Sequence, residues 1–246
     1  MIDHDTYGVL ERLLRLRERR EPLVTQIAGW VGAGIIEGRL RPGEDLNSVD
    51  LSRRFNTSRT PVREALMLLE QEGLVEMKAR RRPRVAAPSL RDIRDIYQVR
   101  GHLLAMLAAL FVERATDEDL ASLRAEIARM RKLADAGDVD AYFWSHVHLQ
   151  ERMTEIVGNA TLKQILDSLA LRTLMLRHLS LTRPGRLAYS VDDQERLIQA
   201  YEERDAALAS ALISSATARA YRAIEEQLAL EAAGAAKPSR RRRATA

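Results

Sequence analysis

The chain has 246 residues, 46% of them hydrophobic and 30% charged, with a formal net charge of +4 and no cysteine. That length and apolar content suffice for two ordinary domains, each with its own core, and exclude a chain disordered throughout. The lack of cysteine excludes a disulfide framework, a thiolate metal site and a cysteine nucleophile, and no run approaches the roughly 18 consecutive apolar residues that a membrane span needs.

A cytoplasmic protein without a membrane partner is therefore expected. Its charge is unevenly placed: residues 1–88 and the C-terminal tail are net basic, whereas the stretch between them is net acidic. This is the pattern of a front module that meets a polyanion, joined to a larger body that does not.

Residues 1–20 carry charges all along and read as an N-terminal extension. Residues 22–37 then form an amphipathic helix, with Leu23, Ile27, Trp30, Val31, Ile35 and Ile36 on its apolar side and Gly38 closing it. The turn Arg41-Pro42-Gly43-Glu44 follows. Ser48 is suited to cap a short second helix through about Phe55, with Leu51 and Phe55 pointing inward, and Asn56 and Thr57 supply a tight turn into a third helix. There Ser58 or Thr60 can cap the first free amides, and Pro61 is tolerated in the first turn. Val62, Ala65, Leu66 and Leu69 recur at helical spacing and face a core, while Arg59 and Arg63, four apart, share the opposite face. Two short helices joined by such a turn make a helix-turn-helix. Its arginines can reach guanine edges or phosphates. Arg63 can alternatively serve as an i, i+4 partner on a solvated helix face.

After Gly73 the pattern becomes Leu74-Val75-Glu76-Met77, a charged turn over residues 78–84, then Val85-Ala86. Strand, turn and strand form a wing, which Ala87-Pro88-Ser89 ends because proline cannot continue a ladder. From Leu90 to about Glu231 the period is helical, with no convincing strand. Breaks fall at Thr116-Asp117, Ala136-Gly137-Asp138, Gly158-Asn159 and Thr182-Arg183-Pro184-Gly185, as in a helical bundle large enough for an internal cavity. Residues 232–246 have no apolar period and read as a disordered basic tail. The expected fold is thus mainly α: a winged helix-turn-helix over residues 21–88, then an all-α bundle over residues 89–231. No glycine-rich phosphate loop, nucleophile elbow or histidine pair at metal spacing is present, so catalysis is not expected.

The Arg41-Pro42-Gly43 turn, the run from Ser58 through Leu66 and Glu72-Gly73-Leu74-Val75 stand in the order and spacing that resemble the GntR family of bacterial transcription factors. The remainder resembles the all-helical FCD-type effector domain of the FadR subfamily. The residues that carry this are Asp95-Ile96-Tyr97-Gln98-Val99-Arg100, Gly158-Asn159, and Glu203-Arg204-Asp205 with Ala209. The resemblance implies a homodimer on a palindromic operator, acting as a repressor, with Ser58, Arg59, Thr60 and Arg63 on the DNA. In the wing, Arg80, Arg81 and Arg82 replace the family's glycine tip and suit a narrow minor groove or flanking phosphates.

Many relatives hold a divalent metal in the helical domain through an aspartate and three histidines. The corresponding positions here are His146, Gln150, Gln194 and Ala216, a set with one good ligand, so no metal or other cofactor is expected. Recognition of a small, anionic effector then falls to Arg100, His146, Gln150 and Gln194. Arg100 can instead pair with a carboxylate such as Asp95 or Glu203. Arg172, Arg177 and His178, on a central helix, are weaker candidates. A constitutive DNA-binding dimer, or an enzyme with an unfamiliar site, is the alternative reading.

Overall fold

In the computed structural model, residues 21–235 are described, and their side chains through 230. The expected N-terminal extension lies outside the described residues, as does the tail beyond Ala235. Three helices, α1 (Pro22–Ile36), α2 (Ser48–Arg54) and α3 (Arg59–Gln71), and a two-stranded antiparallel sheet, β1 (Val75–Glu76) and β2 (Arg84–Val85), form the front module. The periodic residues behave as their spacing dictates: Ile27, Val31, Val62, Ala65, Leu66 and Leu69 are fully buried. At the module's edge the Arg54 guanidinium stacks over the Trp30 ring at 4.2 Å, and Phe55 meets Trp30 edge-on. Both contacts tie α2 to α1.

Two capping expectations are corrected. Asn47, not Ser48, caps α2, its side chain accepting from the Val49 amide at 3.0 Å. Ser58 occupies the cap position of α3 without a side-chain bond, and Thr60 is already helical. The first amides of α3 consequently stay free, a positive helix end facing solvent.

The sheet pairs Val75 with Val85 and Glu76 with Arg84, so Arg84 belongs to the strand and not to the turn. A further pairing was not legible in the sequence. Asp45 bridges to Arg84, the Gly43 amide donates to the Val85 carbonyl, the Val85 amide to that of Glu44, and the Leu46 amide to that of Pro83. Residues 43–46 thus pair with the outer edge of β2 through an isolated bridge. At the tip, Arg80 adopts φ +61, the left-handed conformation that favours glycine.

Ser89 opens the helical body with a capping box to Asp92, and Thr116 does the same with Asp119. The body consists of α4 (Leu90–Arg114), α5 (Asp117–Asp135), α6 (Val139–Val157), α7 (Ala160–Leu181), α8 (Arg186–Glu202) and α9 (Ala206–Ala235). All the expected breaks are present, and one more occurs at residues 203–205, where Arg204 turns at φ +57. The last helix runs to Ala235, past the expected end at residue 231. Helix α4 is long and apolar enough to cross a membrane by length and composition alone. It carries the buried Arg100 at mid-length and packs along α9, as the core helix of a bundle does.

The two parts also touch beyond their covalent link. Trp144 Nε1 on α6 donates to Glu37 Oε1 at 3.3 Å, and α1 packs on α7. Gly73 leaves room for Arg172 of α7: a Cβ there would lie 2.9 Å from Arg172 Nε, and Gly73 itself sits at φ +77.

Candidate functional site

The recognition face of α3 and the wing enclose one groove. Arg59 and Arg63 line it from the helix, Lys78, Arg80 and Arg81 from the wing, with Glu70 the carboxylate among them. Glu70 is engaged, accepting from the Met77 amide at 3.0 Å. Arg59, Arg63, Arg80, Arg81 and Arg82 are all exposed, and among the described residues none is paired with a carboxylate. The helix-partner role for Arg63 is thereby unfilled. Ser58 and Thr60 are exposed at the free amino end of α3, beside the groove. Arg81 borders both faces of the wing, whereas Arg82 lines only the far one, with Arg84, whose guanidinium is held by Asp45. The expected arginine triplet is therefore split across the wing. Free cations and unsatisfied helix amides in one concavity make a surface for a polyanion.

Within the helical body, Arg100, His146, Gln150 and Gln194 converge on one cavity of about 90 Å³. Arg100, 5% exposed, donates through Nη2 to Gln150 Oε1 at 2.8 Å, and Gln194 Nε2 lies 3.4 Å from Nε2 of His146. The alternative pairing of Arg100 with Asp95 or Glu203 does not occur. Its sole hydrogen-bond partner among the described residues is the neutral Gln150. Burial lowers the pKa of Arg100 from its ordinary value. His146 is half-buried and lines the cavity; burial foremost, then Arg177 and Arg100, pushes its pKa down to about 3. The imidazole is neutral at physiological pH.

Sequence reasoning ranked Arg177 too low. It sits in the same cavity, 8% exposed, its guanidinium carbon 5.9 Å from the Phe143 ring centre. Burial first, and Arg100 second, pushes its pKa down to about 9, which leaves it charged near neutrality. A charged residue inside the apolar run Leu174-Met175-Leu176 was the available signal. Tyr97, Arg186 and Tyr201 also line the cavity and were missed. Tyr97 stands one helical turn from Arg100, on the same face. His178 and Arg172 are elsewhere: His178 Nε2 is 2.6 Å from Asp140 Oδ1, and Arg172 borders the front module.

All four positions that the resemblance assigns to metal ligands line this cavity, since Ala216 joins His146, Gln150 and Gln194. Their chemistry does not fit a divalent ion. One imidazole, two amides and a methyl group offer a single strong donor, and two buried guanidiniums repel a cation. Among the described residues no group of three or more His, Asp or Glu side chains could hold a metal ion.

Comparison with known proteins agrees with this two-part layout. Residues 23–85 match the family described as bacterial regulatory proteins, gntR family, and residues 95–219 match the FCD domain. The HTH-type transcriptional repressor GlaR of Escherichia coli is 31% identical over 201 residues, covering 77% of this chain and 91% of that protein. The HTH-type transcriptional regulator LutR of Bacillus subtilis is 29% identical over 184 residues, or 68% of this chain and 82% of its own. Among solved structures, E. coli McbR/YncC superposes with a TM-score of 0.68 at 20% identity, over 85% of this chain and all of that one. That likeness concerns the fold.

Proposed function

Because the chain belongs to the gntR family of bacterial regulatory proteins and carries an FCD effector domain, we propose that this transcriptional regulator is a cytoplasmic homodimer. It binds a palindromic operator, acts as a repressor, and changes its grip when a small anionic effector enters the helical body. Ser58, Arg59, Thr60 and Arg63 contact the operator from α3, Arg80 and Arg81 from the same groove, and Arg82 from the far side of the wing. Arg100, His146, Gln150 and Gln194 hold the effector. A two-fold dimer presenting two copies of α3 requires two half-sites related by the same axis.

The observation that carries the reading is the pairing of two features in one chain: a groove lined by Arg59, Arg63, Arg80 and Arg81, which have no carboxylate partner among the described residues, and a largely apolar cavity in the helical body into which Arg100 and Arg177 are buried. A protein whose helical body served dimerisation alone would need no such cavity, and a buried arginine without a carboxylate is costly unless something compensates it. The GlaR relative is named a repressor, which supports the mode of action.

The test is binding of the full chain to operator duplexes selected from random sequence, followed by fluorescence anisotropy. Arg59→Ala and Arg63→Ala should each cost about 1 to 3 kcal/mol against the selected duplex and much less against random duplex. Retained sequence selectivity in the double variant would sink the proposal.

A further inference from the structure

Single exposed apolar side chains are ordinary on protein surfaces, so what matters is where one stands. Among the described residues of the front module, Met67 is the one large apolar side chain that is exposed, at 45%. It lies on α3, four residues after Arg63 and eight after Arg59. With both of them, and with Arg80 and Arg81 of the wing, it lines the same groove. The core positions of this helix are filled by others: Val62, Ala65, Leu66 and Leu69 are buried. Met67 therefore contributes little to the core. Nor is it needed to fasten the wing to α3, because Glu70 accepts from the Met77 amide at 3.0 Å and the half-buried Met77 packs on the core.

Helix geometry relates Met67 to the residues that meet the duplex. Four residues advance an α-helix by about 6 Å and turn it only slightly past a full turn, so Met67 follows Arg63 on the reading stripe. Long side chains on a helix lean toward its amino end. That of Met67 is thus directed over the turn that carries Arg63, toward the free amides at the start of α3. A lysine or arginine at this position would add one more phosphate contact; a thioether adds no charge. Its counterpart in a major groove is an apolar feature, and the base edges there present one, the 5-methyl group of thymine. An unbranched, polarisable side chain with three rotatable bonds can follow that methyl into an irregular gap.

Resting on the operator-binding reading above, we infer that Met67 is a specificity-determining residue, whose side chain packs on the 5-methyl group of a thymine in each operator half-site. Arg59 and Arg63 supply charge and hydrogen bonds to the same stretch of groove, and Met67 supplies the one contact that tells thymine from a pyrimidine lacking the methyl.

The test uses the full chain and the duplex selected from random sequence, with each thymine of the half-site replaced in turn by deoxyuridine, which removes the methyl and leaves every hydrogen-bonding group of the base in place. Fluorescence anisotropy should find one thymine whose replacement weakens the parent about fourfold per half-site, or about fifteenfold when both halves are changed. That thymine should lie within about three base pairs of the position at which Arg63→Ala relaxes selectivity. Met67→Ala should bind the thymine duplex as weakly as the parent binds the deoxyuridine duplex, and should lose nothing more when the methyl is removed. Met67→Leu, apolar and of similar volume, should keep the preference for thymine. Because Met67 is exposed and alanine favours helix, Met67→Ala should unfold at about the parent's Tm.

An equal cost of deoxyuridine to the parent and to Met67→Ala at every position would overturn the inference. So would equal weakening of the thymine and deoxyuridine duplexes by Met67→Ala, the result of a contact to sugar or phosphate, or a selected half-site with no thymine in that interval. In each of these cases loss of selectivity in the Arg59→Ala, Arg63→Ala double variant would leave the operator-binding reading standing. Selectivity retained in that double variant would sink the reading itself.

Discussion

At the scale of single residues, two positions carry a cost that the proposed function would account for. Arg80 holds φ +61 at the wing tip, a conformation that costs a residue with a Cβ about 1 kcal/mol relative to glycine. Arg80→Gly should therefore stabilise the protein by about that amount in thermal unfolding. It should also lower the slope of log affinity against log salt by about 1 in operator binding, the loss of one phosphate contact. An unchanged slope would mean that the guanidinium does not touch the duplex. His146 is the second case. Its folded pKa, pushed down to about 3, lies below the unfolded value near 6.5. Above pH 6.5 both states are neutral and stability is unaffected. Between pH 6.5 and 3 the unfolded chain takes up a proton that the folded one refuses, so stability falls with acidification, by no more than about 1.4 kcal/mol per pH unit. Plotting Tm against pH for the parent and for His146→Gln should show the two curves parallel above neutrality and converging below it as the parent loses more.

At the scale of elements, what was legible depended on how local the signal is. The core faces of α1 and α3 follow from 3.6-residue periodicity, and Ile27, Val62 and Leu66 are buried where that period puts them. The ends of α1 and α2 were located to within a residue, whereas the break at residues 203–205 and the end of α9 at Ala235 were not; the cap of α2 was misassigned because Asn47 and Ser48 are both good cap residues and a shift of one position decides between them. The bridge from Asp45 had no local signature, because its partner Arg84 lies 39 residues along the chain. For the cavity, helical phase and the resemblance brought together Arg100, His146, Gln150 and Gln194, but charge on a mostly apolar helix was discounted, and Arg177 was undervalued with it. That same helix has a second task. Helix α7 presents Arg177 to the cavity and Arg172 to Gly73 of the front module, while α6 presents His146 to the cavity and Trp144 to Glu37. A link between effector and operator through these two rods predicts that Arg172→Ala leaves affinity for a cavity ligand intact in the free protein. The difference in that affinity between free and operator-bound protein, ordinarily worth about 1 to 3 kcal/mol, should shrink toward zero. Calorimetry with and without operator measures both.

At the scale of the whole molecule, the proposed dimer turns geometry into a spacing rule. Inserting about half a helical turn of DNA between the two operator halves should abolish tight binding, since the second copy of α3 would then face the wrong side of the duplex. A gel-shift series of spacer lengths, with mass of the complex from sedimentation, checks both register and stoichiometry. Full affinity at every spacing would dissolve the two-fold arrangement. Within each copy, the backbone bonds from Gly43, Glu44 and Leu46 to Pro83 and Val85 clamp the base of the wing to the segment that follows α1. On the proposed reading, a hairpin anchored in this way is expected to leave the operator together with the rest of the front module, not by swinging away alone.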